Sequence, residues 1–335
     1  MNRRRALWLF LPAAAGTLVL SAARSLRFFL DLPVSEPQAP TPVNIPPRAT
    51  LREVAKVLED TGIVPSAWIF TTGARLLGLE QKLRYGEYSF KGPLSIRAIL
   101  DTLVSGRVLH HPVTIPEGFT LRQIAARIEA RGLGRAPDIL AAARDPAVIQ
   151  RAGASGDSLE GFLYPDTYHF PRDWPPERIL RAMTDRFHEV VTPEMRRRAG
   201  ERGFTLREVV TLASIIQKES GSAPEYSLIS AVFHNRLRQG FPLMADPVII
   251  YGIQDFNGNL TREDLRRPGP WNVYLNRGLP PGPICNPGLP ALKGALEPAA
   301  TDLLFFVSRN DGSHHFSRTL REHNRAVDRY QRGIN

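Results

Sequence analysis

Apolar residues recur at helical spacing in several stretches of this chain, and three of those stretches open on the same signature. Thr50-Leu51-Arg52-Glu53, Thr120-Leu121-Arg122-Gln123 and Thr205-Leu206-Arg207-Glu208 each set a threonine three residues ahead of an acid or amide, the pattern of a capping box. Helices are therefore predicted to start after Thr50, Thr120 and Thr205, the first two stopped by Gly62 and Gly132. Helical periodicity also covers Ala67 to Leu77, Ser95 to Leu103, Tyr226 to Arg238 (ended by Gly240), Thr319 to Gln331 and most of residues 135–200. Strands are predicted at Tyr85–Phe90, Val113–Ile115 and Leu303–Ser308, the last entering a hairpin turn at Asn310-Asp311-Gly312. Glu160 to Tyr168, EGFLYPDTY, mixes aromatics with Pro and Asp and reads as a strand with a tight turn, and Asp246-Pro247 reads as the start of another turn. The fold class is α+β.

One polar residue breaks an apolar stripe. In GFTLREVVTLASIIQKESG, Leu212, Ile215, Ile216 and Glu219 fall on one helical face, so Glu219 stands where a surface helix would carry another Leu. Gln217 and Lys218 are rotated away from that face. A carboxyl on an apolar face loses hydration and its pKa rises, which yields the protonated acid that glycosidic bond cleavage needs. The same spacing also fits a helix-end glutamate that merely lies at the rim of the core.

Composition changes the picture at the N-terminus. With 335 residues, 43% hydrophobic and 23% charged, the chain is globular and long enough for two or three domains. Its net charge of +10 includes Arg3, Arg4, Arg5, Arg24 and Arg27, with no acid before Asp31. The remainder is only mildly basic, so a nucleic-acid partner is not indicated, whereas an anionic polymer or membrane surface is compatible. Ala6 to Ala23 carry no charge, and a helix of that length covers roughly 27 Å, close to a bilayer core. Ser21-Ala22-Ala23 could end a removed signal, but the preferred reading is a retained single anchor with the arginine-rich start in the cytoplasm. The rest is then extracytoplasmic.

Residues 31–48 hold six prolines and read as an extended spacer. The organisation expected is thus a cytoplasmic start and transmembrane anchor over 1–30, a Pro-rich linker over 31–44, a small α+β module over 45–110 and a larger α+β domain over 111–335. Gly278 to Pro290, GLPPGPICNPGLP, can be neither helix nor central strand and suits a rigid loop lining a groove. A lone Cys285, no HExxH, no GxSxG and no phosphate-binding glycine loop leave no metal or cofactor to expect.

Several runs, in order, resemble the YceG-like family of endolytic murein transglycosylases. They are EGFLYPDTY (160–168), LASIIQKES (212–220), VFHNRL (232–237), PLMADPVIIYG (242–252), the 278–289 loop, His314 to Phe316, and His323-Asn324. The 45–110 region looks like the LysM-like module that precedes the catalytic part in that family. The resemblance implies a single-pass inner-membrane enzyme that cuts nascent peptidoglycan between N-acetylmuramic acid and N-acetylglucosamine, leaving 1,6-anhydro ends and terminating glycan elongation. Peptidoglycan synthases are implied as partners. Carried over by motif, the catalytic acid is Glu219. Gln217 departs from the glutamate common at that position, so the motif here holds one acid, and Gln217 itself is a candidate substrate contact.

Asn235, Asn272, Tyr274 and Asn286 lie in matching motifs and could hydrogen-bond sugar hydroxyls or acetamido groups, while Tyr164, Tyr168 and Tyr251 could stack on pyranose rings. Each could equally serve packing or an internal hydrogen bond. Asp246 could activate water, or simply start a turn. Two rivals stay open: a murein-binding scaffold without catalysis, and a muramidase that uses water.

Overall fold

The computed structural model describes residues 28–220 and 222–333. The expected anchor, Ala6 to Ala23, lies outside them. Among the described residues no helix is long and apolar enough to cross a membrane. The chain divides into two compact units, one reaching from the N-terminal side to His111 and including Pro171–Asp173, the other holding the rest.

The first unit contains strands β1 (Pro33–Ser35) and β2 (Thr41–Ile45), helices α1 (Leu51–Asp60) and α2 (Ala67–Leu76), strands β3 (Gly86–Phe90) and β4 (Leu94–Ser95), and helix α3 (Ile96–Ser105). β2 pairs antiparallel with β3, and β1 with β4. The strand–helix–helix–strand run from β2 to β3 therefore closes on itself. Thr41–Ile45 is thus a strand where the proline count suggested spacer. Val43 and Ile45, two residues apart on one face, are 1% and 2% exposed and join Leu58, Phe70, Tyr88 and Ile99 in the core. Pro42 is tolerated because a two-stranded sheet has only edges, where a missing N–H costs no ladder bond.

The second unit begins within β5 (His111–Thr114), which pairs with β6 (Thr167–Phe170), and continues with helices α4 (Leu121–Ala130), α5 (Ala136–Ala142), α6 (Pro146–Arg151) and α7 (Pro176–Val190). Val113, Ile124, Leu163, Phe170 and Met183 form their shared core. α8 (Pro193–Glu201), α9 (Leu206–Glu219), α10 (Tyr226–Gln239), α11 (Asp246–Gly252), α12 (Arg262–Arg266) and α13 (Leu289–Leu296) follow. The unit ends with the antiparallel hairpin β7 (Phe305–Ser308) and β8 (His314–Ser317), then α14 (Leu320–Val327). In EGFLYPDTY only the end is strand; Glu160 to Asp166 is loop.

The capping boxes at Thr50, Thr120 and Thr205 are all formed, the last with Glu208 Oε2 accepting from the Thr205 amide at 2.7 Å. α9 is more deeply set than one apolar stripe requires. Every residue from Val209 to Ile216 is buried, so the helix is wrapped on all sides, most extensively by α13. Thr211 and Ser214, the polar residues in that stretch, bond to the preceding turn, Thr211 Oγ1 to the Arg207 carbonyl and Ser214 Oγ to the Thr211 carbonyl.

Candidate active site

α9 ends at Glu219, where the buried cylinder opens to solvent. Its cap residue Ser220 is buried and donates to Glu225 Oε2 at 3.3 Å. Glu225 in turn accepts from both the backbone N–H and Nδ1 of His314, at 2.8 and 2.7 Å. This brace ties the end of the helix to the β7–β8 hairpin.

The Glu219 carboxyl is pushed up to about 8. Loss of hydration is the main cause, the Asp246 carboxylate adds to it, and the Arg236 guanidinium opposes it. By surface area the residue is only half-buried. The two facts are compatible because a group can touch water on one side while protein surrounds it on the others. Its place at the negative end of the α9 dipole acts in the same direction as burial. Among the described residues its carboxyl accepts no hydrogen bond, so its proton is free for a ligand.

Asp246, Tyr274 and Arg236 complete the group. Asp246 is the first residue of α11, a helix that the Asp-Pro pair disguised as a turn. It accepts from the Tyr274 hydroxyl at 2.7 Å, and burial with this bond raises the Tyr274 pKa. Arg236 comes from VFHNRL on α10 and was not singled out from sequence. It is 8% exposed, donates from Nε to the Leu304 carbonyl at 2.8 Å and from Nη1 to the Leu243 carbonyl, and lies 5.6 Å from the Phe305 ring centroid. Carbonyls hold it in place without neutralising it, so its charge remains available to Glu219. The sequence signal was an arginine amid apolar helix positions.

The 278–288 loop is fastened along α9. Ile284 donates its amide to Ser214 Oγ at 3.0 Å, Cys285 Sγ donates to the Ser214 carbonyl at 3.3 Å, and Gly288 donates to Gln217 Oε1 at 3.0 Å. Gln217 Nε2 donates to the Tyr226 hydroxyl at 2.8 Å. Gln217, expected near substrate, thus spends both ends of its amide joining loop to helix. A glutamate there could accept from both partners, so the departure from the family pattern preserves this junction.

The three asparagines spend their amides on bonds inside the protein. Asn286 is fully buried; its Nδ2 donates to the Phe119 carbonyl and to Glu160 Oε1, both at 3.0 Å, and its Oδ1 accepts from Leu163 N at 2.9 Å. Asn235 donates to the carbonyls of Thr301 and Leu303 and accepts from Arg238. Asn272 donates to the carbonyls of Leu265 and Arg267 and accepts from the amides of Tyr274 and Leu275. Their sequence motifs reflect loop-pinning where sugar contacts were expected. Tyr168 donates to the Tyr164 carbonyl at 2.6 Å and stacks on Phe170. Tyr164 is half-buried, 5.9 Å from the Arg186 guanidinium.

Glu160 is the second carboxyl with a raised pKa, about 7, because burial outweighs its hydrogen bonds. It accepts from Leu121 N at 2.9 and 3.0 Å, from the Tyr251 hydroxyl at 3.1 Å and from Asn286. At 5% exposed and fully engaged, it anchors the N-terminus of α4 and holds Tyr251, which packs edge-on to Trp271. Glu219 is therefore the carboxyl equipped to meet a ligand. A cavity of about 620 Å³ also lies under α7 beside Trp174, but its carboxyls, Glu177 and Asp185, are exposed.

An α+β unit whose buried helix delivers one proton-bearing acid to a partly exposed position is the class this architecture defines. The profile of the YceG-like family matches residues 43–329, and the chain belongs to that family. It is 29% identical over 307 residues to the endolytic murein transglycosylase of Bacillus subtilis, covering 86% of this chain and 84% of that protein. It is 28% identical over 317 residues to the protein of the same name from Streptococcus pneumoniae, covering 85% of this chain and 57% of that longer one. A crystal structure of a yceG-like protein from Listeria monocytogenes superposes with a TM-score of 0.60 at 30% identity, covering 85% of this chain and 98% of that one.

Proposed function

We propose that this protein is an endolytic lytic transglycosylase that cuts peptidoglycan strands between N-acetylmuramic acid and N-acetylglucosamine. The observation that carries the reading is Glu219, a half-buried carboxyl at the end of a buried helix, pushed up to about 8 and with no hydrogen bond among the described residues. At pH 7 about nine in ten such groups hold their proton. Protonated Glu219 donates to the glycosidic oxygen as the bond to muramic C1 breaks. The carboxylate so formed takes the proton of the muramic 6-hydroxyl as that oxygen bonds to C1. The 1,6-anhydro ring closes, Glu219 is protonated again, and no water is consumed. The internal nucleophile gains from proximity, so one carboxyl performs both transfers. Asp246, oriented by Tyr274, keeps Glu219 protonated and sets a negative charge near the oxocarbenium-like centre. Arg236 limits the rise, so that Glu219 can also serve as base.

The cellular setting belongs to the same proposal. The charged start and uncharged run at the N-terminus support a single-pass anchor in the inner membrane, with the catalytic unit on its outer side. Cutting there, beside glycan synthases, would terminate strand elongation. The strand–helix–helix–strand order from β2 to β3, with its strands paired antiparallel, supports the LysM-like reading of the first unit.

The test is mass spectrometry of uncrosslinked glycan strands treated with the full chain in detergent, beside Glu219→Gln. Anhydro-muramic ends that vanish with the variant are expected. Ends heavier by one water would make the protein a muramidase and Asp246 its base. Strands bound but uncut by folded protein would leave a murein-binding scaffold.

A further inference from the structure

Beside Glu219 lies a cavity of about 630 Å³ that the reaction as described does not use, within the roughly 300–1,000 Å³ of small-ligand sites. Lys218 and Pro247 line it, each next in sequence to a residue of the reacting group, Glu219 and Asp246, so its wall comes within one residue of both. Its floor is apolar, made by Leu121, Ile250 and Ile284. Its rim carries Arg122, Arg144 and Lys218. Both guanidiniums act on Tyr251 from the cavity wall. Among the described residues neither arginine has an ion pair or a side-chain hydrogen bond, and Lys218 reaches only the Gly118 carbonyl at 3.4 Å. The one carboxyl in the wall, Glu160, is turned inward onto Leu121, Tyr251 and Asn286. Three cations thus surround an apolar floor, and no acid among the residues lining the cavity is left to answer them.

We propose that this cavity is a subsite for the stem peptide of the muramic residue being cut, with Arg122, Arg144 and Lys218 pairing with the peptide's carboxylates and its alanine methyls resting on the apolar floor. The inference rests on the glycan-cleaving reading above and extends it to the peptide. A muramic sugar poised over Glu219 must project its 3-O-lactyl peptide away from the scissile bond, and an adjoining cavity of this chemistry is fitted to take it. The subsite makes peptide-bearing strands better substrates than bare glycan.

The experiment compares kcat/KM of the full chain in detergent on three forms of uncrosslinked strand. One form is intact, one has its peptide carboxylates amidated with methylamine, and one is stripped of peptide by an amidase. The wild type should favour intact over amidated strands by about fivefold or more, from several rim ion pairs acting together. Stripped strands should do no better than amidated ones. In Arg122→Gln/Arg144→Gln the intact-to-amidated ratio should fall toward one, and in Arg122→Glu/Arg144→Glu it should invert. Equal wild-type rates on intact and amidated strands, faster cutting of stripped strands, or a ratio that survives both double variants would each overturn the subsite. The glycosidic reading would stand in those cases, because anhydro ends would still form. Failure of the wild type to cut all three would refute both.

Discussion

Replacing Glu219 with glutamine should abolish cleavage and yet make the protein harder to unfold in alkaline solution. In the native state the carboxyl is raised to about 8 from an ordinary value of 4.5. The folded form therefore holds a proton that the unfolded chain has already released. Stability from this group is complete below pH of about 4.5, declines as pH rises, and is fully lost once pH passes about 8. At about 1.36 kcal/mol per pH unit that interval comes to about 5 kcal/mol. The carboxyl is only half-buried and water reaches it, so about half of this, 2–3 kcal/mol, is the expected loss. Glutamine has nearly the same shape and no charge to desolvate. Thermal unfolding of both proteins at pH 5 and pH 9 reads the difference. Their midpoints should agree at pH 5, and the variant's should be roughly 5–10 °C higher at pH 9. Glu160 titrates in the same window but is present in both proteins and cancels from the comparison. Parallel pH profiles would mean that Glu219 is not desolvated in the native state, and the argument for a proton-bearing acid would fail.

Two further outcomes follow from the same geometry. Asp246→Asn removes a charge that raises Glu219, so the alkaline limb of kcat/KM, expected near pH 8 in the wild type, should move to lower pH; a limb that stays in place would separate Asp246 from Glu219. Asn286→Ala strips bonds from Leu163, Phe119 and Glu160 at a fully buried position, and urea titration should show a loss of about 2–4 kcal/mol; a loss below about 1 kcal/mol would contradict its pinning role.

Local signals carried most of the helical content. Threonine capping boxes and glycine stops are decided within four residues, and α1, α4 and α9 start where those signals place them. Glu219 was legible for a related reason, since one helix turn suffices to show an acid on an apolar face. Features that depend on distant partners were not legible. Thr41–Ile45 became a strand because β3 lay ready to pair with it, which a count of prolines cannot reveal. α11 and α13 both open next to prolines that read locally as breakers but sit at the first turn of a helix. Asn235, Asn272 and Asn286 carried the polarity of sugar ligands, and only the folded loops show carbonyls and amides waiting for them. Arg236 and Glu160 draw their importance from contacts 68 and 126 residues away in sequence.

The central claim is that Glu219 moves a proton twice within the substrate and that water takes no part. Cleavage of uncrosslinked strands in water enriched in the heavy oxygen isotope tests it most directly, with the new muramic ends weighed by mass spectrometry. The account predicts anhydro ends that contain no heavy oxygen from the first turnover. Ends that carry one heavy oxygen would show water attacking C1, and the one-carboxyl mechanism would be wrong.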